Sequence, residues 1–136
     1  MQTPLLIAIA FFIILMNSAL AANDTVAALM NSYMAQGANI GRAETGKQLW
    51  QKTFTGQGEF SQRSCTSCHT QDLTAVGKHI KTNKGIKAMA PSSNPERLTD
   101  RKKIEKWFKR NCKWTLGREC TVQEKADLLA YINNQS

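Results

Sequence analysis

Several common sequence features are absent from this chain. There is no alternating apolar and polar pattern of the kind that predicts β-strands, which argues against a β-rich fold. No helix-turn-helix, zinc-finger or aromatic RNA-binding signature accompanies the basic residues, so we do not expect nucleic acid as a partner. The apolar run Leu5 to Met16 has only twelve residues, whereas a helix needs about 20 to span a bilayer.

The N-terminal segment differs from the rest because residues 1–23 carry no charged side chain. Its apolar run is followed by Ala19-x-Ala21, a small-residue pattern typical of a signal-peptidase site. The absence of Lys and Arg before the run is unusual for a signal, and a retained membrane anchor is the alternative. We interpret residues 1–21 as a cleaved secretory signal peptide and residues 22–136 as one mature domain. We therefore expect an exported, periplasmic protein that is not a membrane protein after cleavage.

Positive charge is concentrated in the stretch from Lys78 to Lys113. This stretch holds twelve basic residues against three acidic ones, while the whole chain has a formal net charge of +8. A basic face on an exported protein is typical either of a docking surface for an acidic partner or of a solvated surface that maintains solubility. The sequence leaves both interpretations open.

Helical periodicity and capping signals predict an all-α domain with four helices. In the second of them Gly46 leaves a gap one turn before Trp50, which indicates close packing against another backbone. A long segment, Thr55 to Leu98, lacks a core of its own and needs something to wrap around. The predicted helices are about Asp24 to Gln36, Ala43 to Phe54, Asp100 to Arg110 with Thr99 as its cap, and a last one opening with the capping box Thr121-Val122-Gln123-Glu124.

The motif Cys65-Thr66-Ser67-Cys68-His69 explains what that segment wraps around. C-x-x-C-H is the attachment signature of c-type haem, in which Cys65 and Cys68 form thioethers and His69 is the proximal iron ligand. A thioredoxin-like pair would need a βαβ pattern, which is absent. A zinc site using all four cysteines would need a closer second pair than Cys112 and Cys120, which are separated by seven residues.

Three side chains compete for the sixth position on the iron. Met89 would make a conventional electron carrier, although it is also explained as a core methionine. His79 lies among lysines and is better explained as an exposed side chain. Asn111 is the unconventional candidate, and a C-terminal helix cap is its alternative role. It falls on the apolar face of the third helix, at helical spacing from Ile104, Trp107 and Phe108.

The sequence resembles the class I cytochromes c, and more specifically the oxygen-binding cytochromes c known as sphaeroides haem proteins. The motifs that carry the resemblance are Gly46-x-x-x-Trp50, the haem motif, Ala90-Pro91-Ser92, Pro95-x-Arg97, Arg110-Asn111-Cys112, Gly117-Arg118-x-Cys120-Thr121 and Leu128-x-x-Tyr131-Ile132. The resemblance implies a class I cytochrome c fold around one covalent haem c, with an extra N-terminal helix.

The resemblance also implies roles for individual residues. It makes Asn111 the distal ligand of the oxidised iron, with Ile104, Trp107 and Phe108 as an apolar wall beside it. It makes Cys112 and Cys120 a disulfide. Met89 then becomes a pocket or core residue, and conventional electron transfer with His69/Met89 ligation remains the alternative.

An asparagine oxygen is a hard and weak donor that holds Fe(III) better than Fe(II), so Asn111 is expected to leave on reduction. The vacated position would bind diatomic gases such as O₂, CO or NO. The resemblance further implies a dihaem cytochrome c as redox partner, acidic enough to dock on the basic face, with a membrane cytochrome b beyond it. No side chain has the character of a dedicated catalytic acid or base, so we expect a gas-binding and electron-transfer protein rather than an enzyme. Weak NO dioxygenase or peroxidase side activity stays open.

Overall fold

A computed structural model describes residues 22–135, and the predicted signal peptide, residues 1–21, lies outside this part of the chain. Helices dominate the described residues, as the sequence predicts. We number them α1 at 22–35, α2 at Ala43–Gln51, α3 at Thr66–His69, α4 at Arg101–Leu116 and α5 at Val122–Asn133. Within residues 22–135 no helix has both the length and the apolar character needed to cross a membrane.

Helices α2 and α5 cross at Gly46, which confirms the close backbone packing predicted there. A Cβ at this position would contact the carbonyl of Asp127 and would lie 2.8 Å from Cβ of Tyr131. Trp50 lies one turn further along α2, and its ring meets the ring of Tyr131 edge-on at 6.0 Å. The buried face of α5 then completes the core through Leu128, Leu129 and Ile132.

The predicted long segment contains short secondary structure that its sequence does not reveal. Two antiparallel hairpins form, β1 Phe54–Thr55 with β2 Gln62–Arg63, and β3 Gly77–Lys78 with β4 Gly85–Ile86. Strands of two residues are too short to show an alternating pattern. Phe54 was predicted to end the second helix, and this prediction is wrong because α2 ends at Gln51 and Phe54 pairs with Arg63 in the first hairpin.

Helix α4 is longer than predicted. Its N-cap is Asp100, whose carboxylate accepts a hydrogen bond from the backbone N–H of Lys103 at 3.1 Å. The predicted cap Thr99 instead donates its hydroxyl to the carbonyl of Glu96 at 2.9 Å. The predicted end at Arg110 is also wrong, because α4 continues to Leu116 and stops at Gly117, whose φ of 76° is readily adopted only by glycine. The capping box that opens α5 is confirmed.

The N-terminal helix α1 is joined to α4 and α5 by one partly buried carboxylate. Glu105 accepts a hydrogen bond from the hydroxyl of Tyr33 at 2.8 Å and forms an ion pair with Lys125 at 2.8 Å. Leu29 and Tyr33 are themselves almost fully buried, at 0% and 1% exposure. Helix α1 is therefore part of the core, and it fixes the first half of α4.

Candidate functional site

The haem-attachment motif forms one short helical turn. Cys65 is the N-cap of α3, and the N–H of His69 donates to the carbonyl of Cys65 at 3.0 Å. The thiols of Cys65 and Cys68 are both free and partly buried. Burial raises the pKa of the Cys65 thiol to about 12, so it is protonated at neutral pH. This turn brings two thiols and one imidazole together, as attachment of a c-type haem requires.

The β3–β4 hairpin covers the back of this turn. A Cβ on Gly77 would contact the carbonyl of Cys68, so only glycine allows the hairpin to approach this closely. The backbone N–H of Ile80 points towards the sulfur of Cys68 at 3.5 Å. The position of the second thiol is therefore set by a neighbouring backbone.

His69 is placed as a neutral ligand would be. Burial and, to a smaller extent, the positive charge of Arg97 together lower its pKa to about 4, so the ring is uncharged at neutral pH. The Nδ1 atom of His69 is buried, and it forms no hydrogen bond with any of residues 22–135. An unsatisfied buried polar atom costs about 1–3 kcal/mol, so it requires an explanation such as a redox or catalytic role or a bound water or ion. The side chain therefore fits the role of proximal ligand to a haem.

The predicted distal residues lie along α4, although they are not equally placed. Ile104 and Phe108 are partly buried and pack against the core cluster. Asn111 is also partly buried, and it lies inside α4 rather than at its end, so the alternative role of helix cap is excluded. Trp107 is 46% exposed, and its ring lies beside the charged groups of Lys106 and Arg110 at 5.7 and 5.0 Å. Its role in the apolar wall stays a prediction.

The two competing distal candidates have local roles in the structure. Met89 is partly buried against the core, and its backbone N–H donates to the carbonyl of Leu73 at 2.9 Å. His79 is exposed, and its Nδ1 accepts from the backbone N–H groups of Lys81 and Thr82 at 3.3 and 3.2 Å. His79 therefore caps the β3–β4 turn, whereas Met89 stays close to the apolar residues of the site.

The sulfurs of Cys112 and Cys120 lie 1.99 Å apart, at disulfide distance. Cys112 directly follows Asn111 on α4, and Cys120 directly precedes the capping box of α5. The pair therefore joins the last turns of the distal helix to the start of the C-terminal helix. Because α4 continues to Leu116, Cys112 lies within the helix rather than beyond its predicted end at Arg110.

A contact that the sequence does not reveal connects the attachment motif with α4. Arg63 lies two residues before Cys65, and its guanidinium donates to the carbonyl of Trp114 at 3.0 Å. The same group lies over the Trp114 ring at 5.0 Å and also donates to the carbonyls of Phe60 and Gln57. Because carbonyls in the last turn of a helix lack helical partners, a cation there is favourable.

The arrangement as a whole suits a haem better than a bare metal ion. Within the described residues, no group of three or more His, Cys, Asp or Glu side chains could hold a metal ion. The thiols and the neutral imidazole match the attachment chemistry of haem c, and α4 presents apolar side chains with one carboxamide among them. The residues present therefore fit the cofactor.

The chain is similar to known cytochromes. Residues 36–132 match the family described as a domain of unknown function (DUF1924). The chain is 43% identical over 122 residues to the cytochrome c-type protein SHP of Cereibacter sphaeroides, covering 90% of this chain and 93% of that protein. It is 40% identical over 88 residues to cytochrome c'' of Methylophilus methylotrophus, covering 64% of this chain and 60% of that protein.

Solved structures give the same result for the fold. Oxidised SHP, described as an oxygen-binding cytochrome c, superposes with a TM-score of 0.74 at 42% identity, covering 81% of this chain and 96% of that structure. Oxidised cytochrome c'' from M. methylotrophus superposes with a TM-score of 0.73 at 30% identity, covering 87% of this chain and 97% of that structure. The all-α, class I cytochrome c fold predicted from the sequence is confirmed.

Proposed function

Because the chain belongs to the SHP family of c-type cytochromes and to the family of the DUF1924 domain, we propose that it binds diatomic gases at its haem iron only when that iron is reduced. It is a monohaem cytochrome with haem c attached through Cys65 and Cys68. The haem supplies a redox-active iron with two axial positions. The proposal assigns one position to His69 and the other, in the oxidised protein, to Asn111.

The position of Asn111 is the observation that supports the proposal most directly. It lies inside α4, on the side that also contains Ile104, Phe108 and the buried Cys112. An asparagine in a helix interior gains no capping energy, and it is a weaker helix former than alanine or leucine. The presence of Asn111 inside the helix is explained if its carboxamide is a ligand of the haem iron.

The gating follows from the chemistry of the carboxamide. Its oxygen is a hard, neutral and weak donor, which suits Fe(III) better than Fe(II). Reduction therefore releases Asn111 and leaves a position for O₂, CO or NO beside the apolar side chains of Ile104 and Phe108. The freed N–H₂ group of Asn111 is a hydrogen-bond donor for the ligand that enters. The relative named above as an oxygen-binding cytochrome agrees with this class of ligand.

The experiment that tests the proposal is the substitution Asn111→Val. The variant lacks a carboxamide, so the ferric protein should lose its protein-derived sixth ligand and its absorption spectrum should change to that of a five-coordinate or water-ligated haem. The ferrous protein should still bind CO. Met89→Leu and His79→Gln are matched controls, because each removes one competing ligand and should leave the ferric spectrum unchanged.

A conventional electron carrier would behave differently. With His69 and Met89 as permanent ligands, the ferrous wild-type protein would be six-coordinate and would not bind CO. Met89→Leu would then alter the spectrum, and Asn111→Val would not. This pattern would contradict the proposed gating.

We also propose export to the periplasm and an acidic redox partner, on the basis of the signal-like residues 1–21 and the basic stretch Lys78 to Lys113. The partner proposed from the family resemblance is a dihaem cytochrome c, with a membrane cytochrome b beyond it. The lysines of α4 are exposed, as docking requires. Electron transfer from such a partner should slow as ionic strength rises, because salt screens the attraction between opposite charges. If the rate of electron transfer did not depend on ionic strength, the basic stretch would be a surface that maintains solubility and not a docking surface.

A further inference from the structure

The turn that follows His69 has a backbone conformation that residues with a side chain rarely adopt. Thr70, the C-cap of α3, has a φ of 65° and a ψ of 174°. This region of conformational space is open to glycine but strained for threonine, whose Cβ is branched. Strain of this kind persists only where surrounding contacts hold it.

Trp50 makes the long-range contact that holds this turn, beside two local ones, from the N–H of Thr70 to the carbonyl of Thr66 at 3.3 Å and from the Thr70 hydroxyl to the carbonyl of Asp72 at 2.6 Å. Its indole N–H donates to the carbonyl of Thr70 at 3.0 Å, across twenty residues of sequence. Trp50 is only 4% exposed and packs against Tyr131 where α2 and α5 cross, so the indole has little freedom to move. The carbonyl of Thr70 is therefore anchored to the most rigid part of the fold.

The same indole lies beside the proximal imidazole. The ring centroids of Trp50 and His69 are 5.5 Å apart, with 42° between the planes. No residue in the described part of the chain forms a hydrogen bond to Nδ1 of His69. The orientation of the imidazole is therefore set by the backbone that carries it, and the backbone on its C-terminal side is the Thr70 turn.

We propose that Trp50 is a positioning residue for the proximal ligand. Its N–H keeps Thr70 in the strained conformation, and this conformation fixes the direction in which the His69 ring faces the iron. The functional consequence rests on the proposed gating: once Asn111 has left, His69 is the protein ligand that remains. Trp50 is attached to α2 and α5 rather than to α4, so it holds His69 whether or not α4 moves.

The test uses Trp50→Phe, which keeps an aromatic ring and removes the N–H donor. Tyr33→Phe is the matched control, since it also keeps a buried aromatic ring and removes one hydrogen bond, that of the Tyr33 hydroxyl to Glu105 at 2.8 Å, which involves neither His69 nor Thr70. In the ferric protein, paramagnetically shifted proton resonances of the haem and of His69 report the orientation of the imidazole. We expect these shifts to change in Trp50→Phe, while the control keeps the wild-type pattern.

In the ferrous protein without CO, the iron–histidine stretching band in resonance Raman spectra should shift or broaden in Trp50→Phe. CO affinity should fall by no more than about fivefold, the factor reached if the whole contribution of one neutral hydrogen bond acts on the CO-bound state. The ferric absorption spectrum should stay unchanged, because the ligands themselves are the same.

The double variant Trp50→Phe/Thr70→Gly separates positioning from general stabilisation. Glycine adopts the conformation of Thr70 without strain, so the turn should persist without the indole N–H. The single variant Thr70→Gly is measured beside it, because this change also removes the hydrogen bond from the Thr70 hydroxyl to the carbonyl of Asp72 at 2.6 Å. The double variant should then recover the wild-type ferric shifts and CO affinity. A Trp50→Phe variant that loses thermal stability but keeps the wild-type ferric shifts would overturn the proposal, and so would a double variant as perturbed as the single one. The ferric comparison is made between proteins that share the same distal ligand, whichever it is, so it decides this proposal even where the proposed gating fails.

Discussion

The Cys112–Cys120 pair offers the most quantitative test of how the distal helix is held. Replacing both residues by alanine removes the proposed disulfide without leaving buried hydroxyl groups that lack partners. The two cysteines are 4% and 8% exposed, so serine would add that separate cost. The bond closes a loop with a sequence separation of 8. For such a loop the chain-entropy model gives a stabilisation of about 2.6 kcal/mol at 25 °C.

Other contacts across the same turn do not compensate for this loss. The ion pair of Lys113 with Glu119 at 3.3 Å joins two exposed side chains, and the bidentate pair of Arg118 with Glu124 at 2.7 Å joins a half-exposed guanidinium to a carboxylate that is 22% exposed. Such pairs contribute about 0–1 kcal/mol each. At about 4 °C per kcal/mol for a domain of this size, we expect the melting temperature to fall by about 10 °C.

The functional effect should appear in the return of Asn111 to the iron. Asn111 is the residue directly before Cys112, so the bridge limits how far the last turns of α4 can move when the ligand leaves. Without it, rapid oxidation of the ferrous protein should be followed by slower recovery of the six-coordinate ferric spectrum in stopped-flow experiments. Thiol counting in denaturant supplies the chemical control, because reductant should expose two thiols in the wild-type haem protein and none in the variant.

Two results would refute this reasoning. A melting temperature within about 3 °C of the wild type would mean that the bridge constrains little of the unfolded chain. Recovery of the ferric spectrum at the wild-type rate would mean that the movement of Asn111 does not involve the last turns of α4. Wild-type protein treated with reductant should match the alanine variant in both measurements.

Two further predictions concern the framework around the site. Gly46→Ala should lower the free energy of unfolding in urea by about 1–3 kcal/mol or more, because the added Cβ meets the backbone of Asp127. Gly85→Ala is the control, since its Cβ meets no atom within 4 Å and should change the stability far less. Equal effects of the two substitutions would contradict the crossing geometry. Burial raises the pKa of Glu105, but hydrogen bonds from Lys125 and Tyr33 outweigh burial, so the pKa lies below its ordinary value of 4.5. The carboxylate of Glu105 therefore stabilises the protein above pH 4.5, and this stabilisation is lost as the pH falls below that value. The stability difference between wild type and Glu105→Gln should therefore shrink on acidification below about pH 4.5, and a difference that is constant with pH would argue against the ion pair.

The parts of the fold that follow from local sequence were predictable. Helical periodicity located α2, α4 and α5, and the capping box at Thr121 gave the start of α5 to the residue, because both signals depend on neighbours within one or two turns. The predicted end of α4 at Arg110 is wrong because Asn111, which also suits a C-terminal cap, lies inside the helix. The decisive signal was Gly117, which is the residue that accepts a left-handed conformation.

The candidate site divides in the same way. The haem motif is contiguous, so spacing alone predicts Cys65, Cys68 and His69, whereas helical spacing makes Asn111 one of three distal candidates and the family resemblance selects it. The contacts of Arg63 with Trp114 and of Trp50 with Thr70 join residues 51 and 20 positions apart. Such contacts depend on how the elements pack, which periodicity does not specify. One signal was available for Trp50, since a buried indole N–H requires an acceptor, but the sequence does not say which.

The two sides of the proposed haem site are anchored to different parts of the protein. His69 directly precedes the turn that Trp50 fixes to the α2–α5 crossing, whereas α4 is attached through Glu105 to α1 and α5 and through Cys112 to the start of α5. Arg63 provides the hydrogen bond that runs from the attachment segment to α4, and it ends at Trp114, three residues beyond Asn111. A ligand that must leave and return needs a helix that is held at both ends and free in between. Glu105 and Cys112 stand on either side of that interval, and Asn111 lies within it, directly before the second anchor. A small displacement of this part of α4 can therefore release the carboxamide without disturbing the histidine on the opposite side.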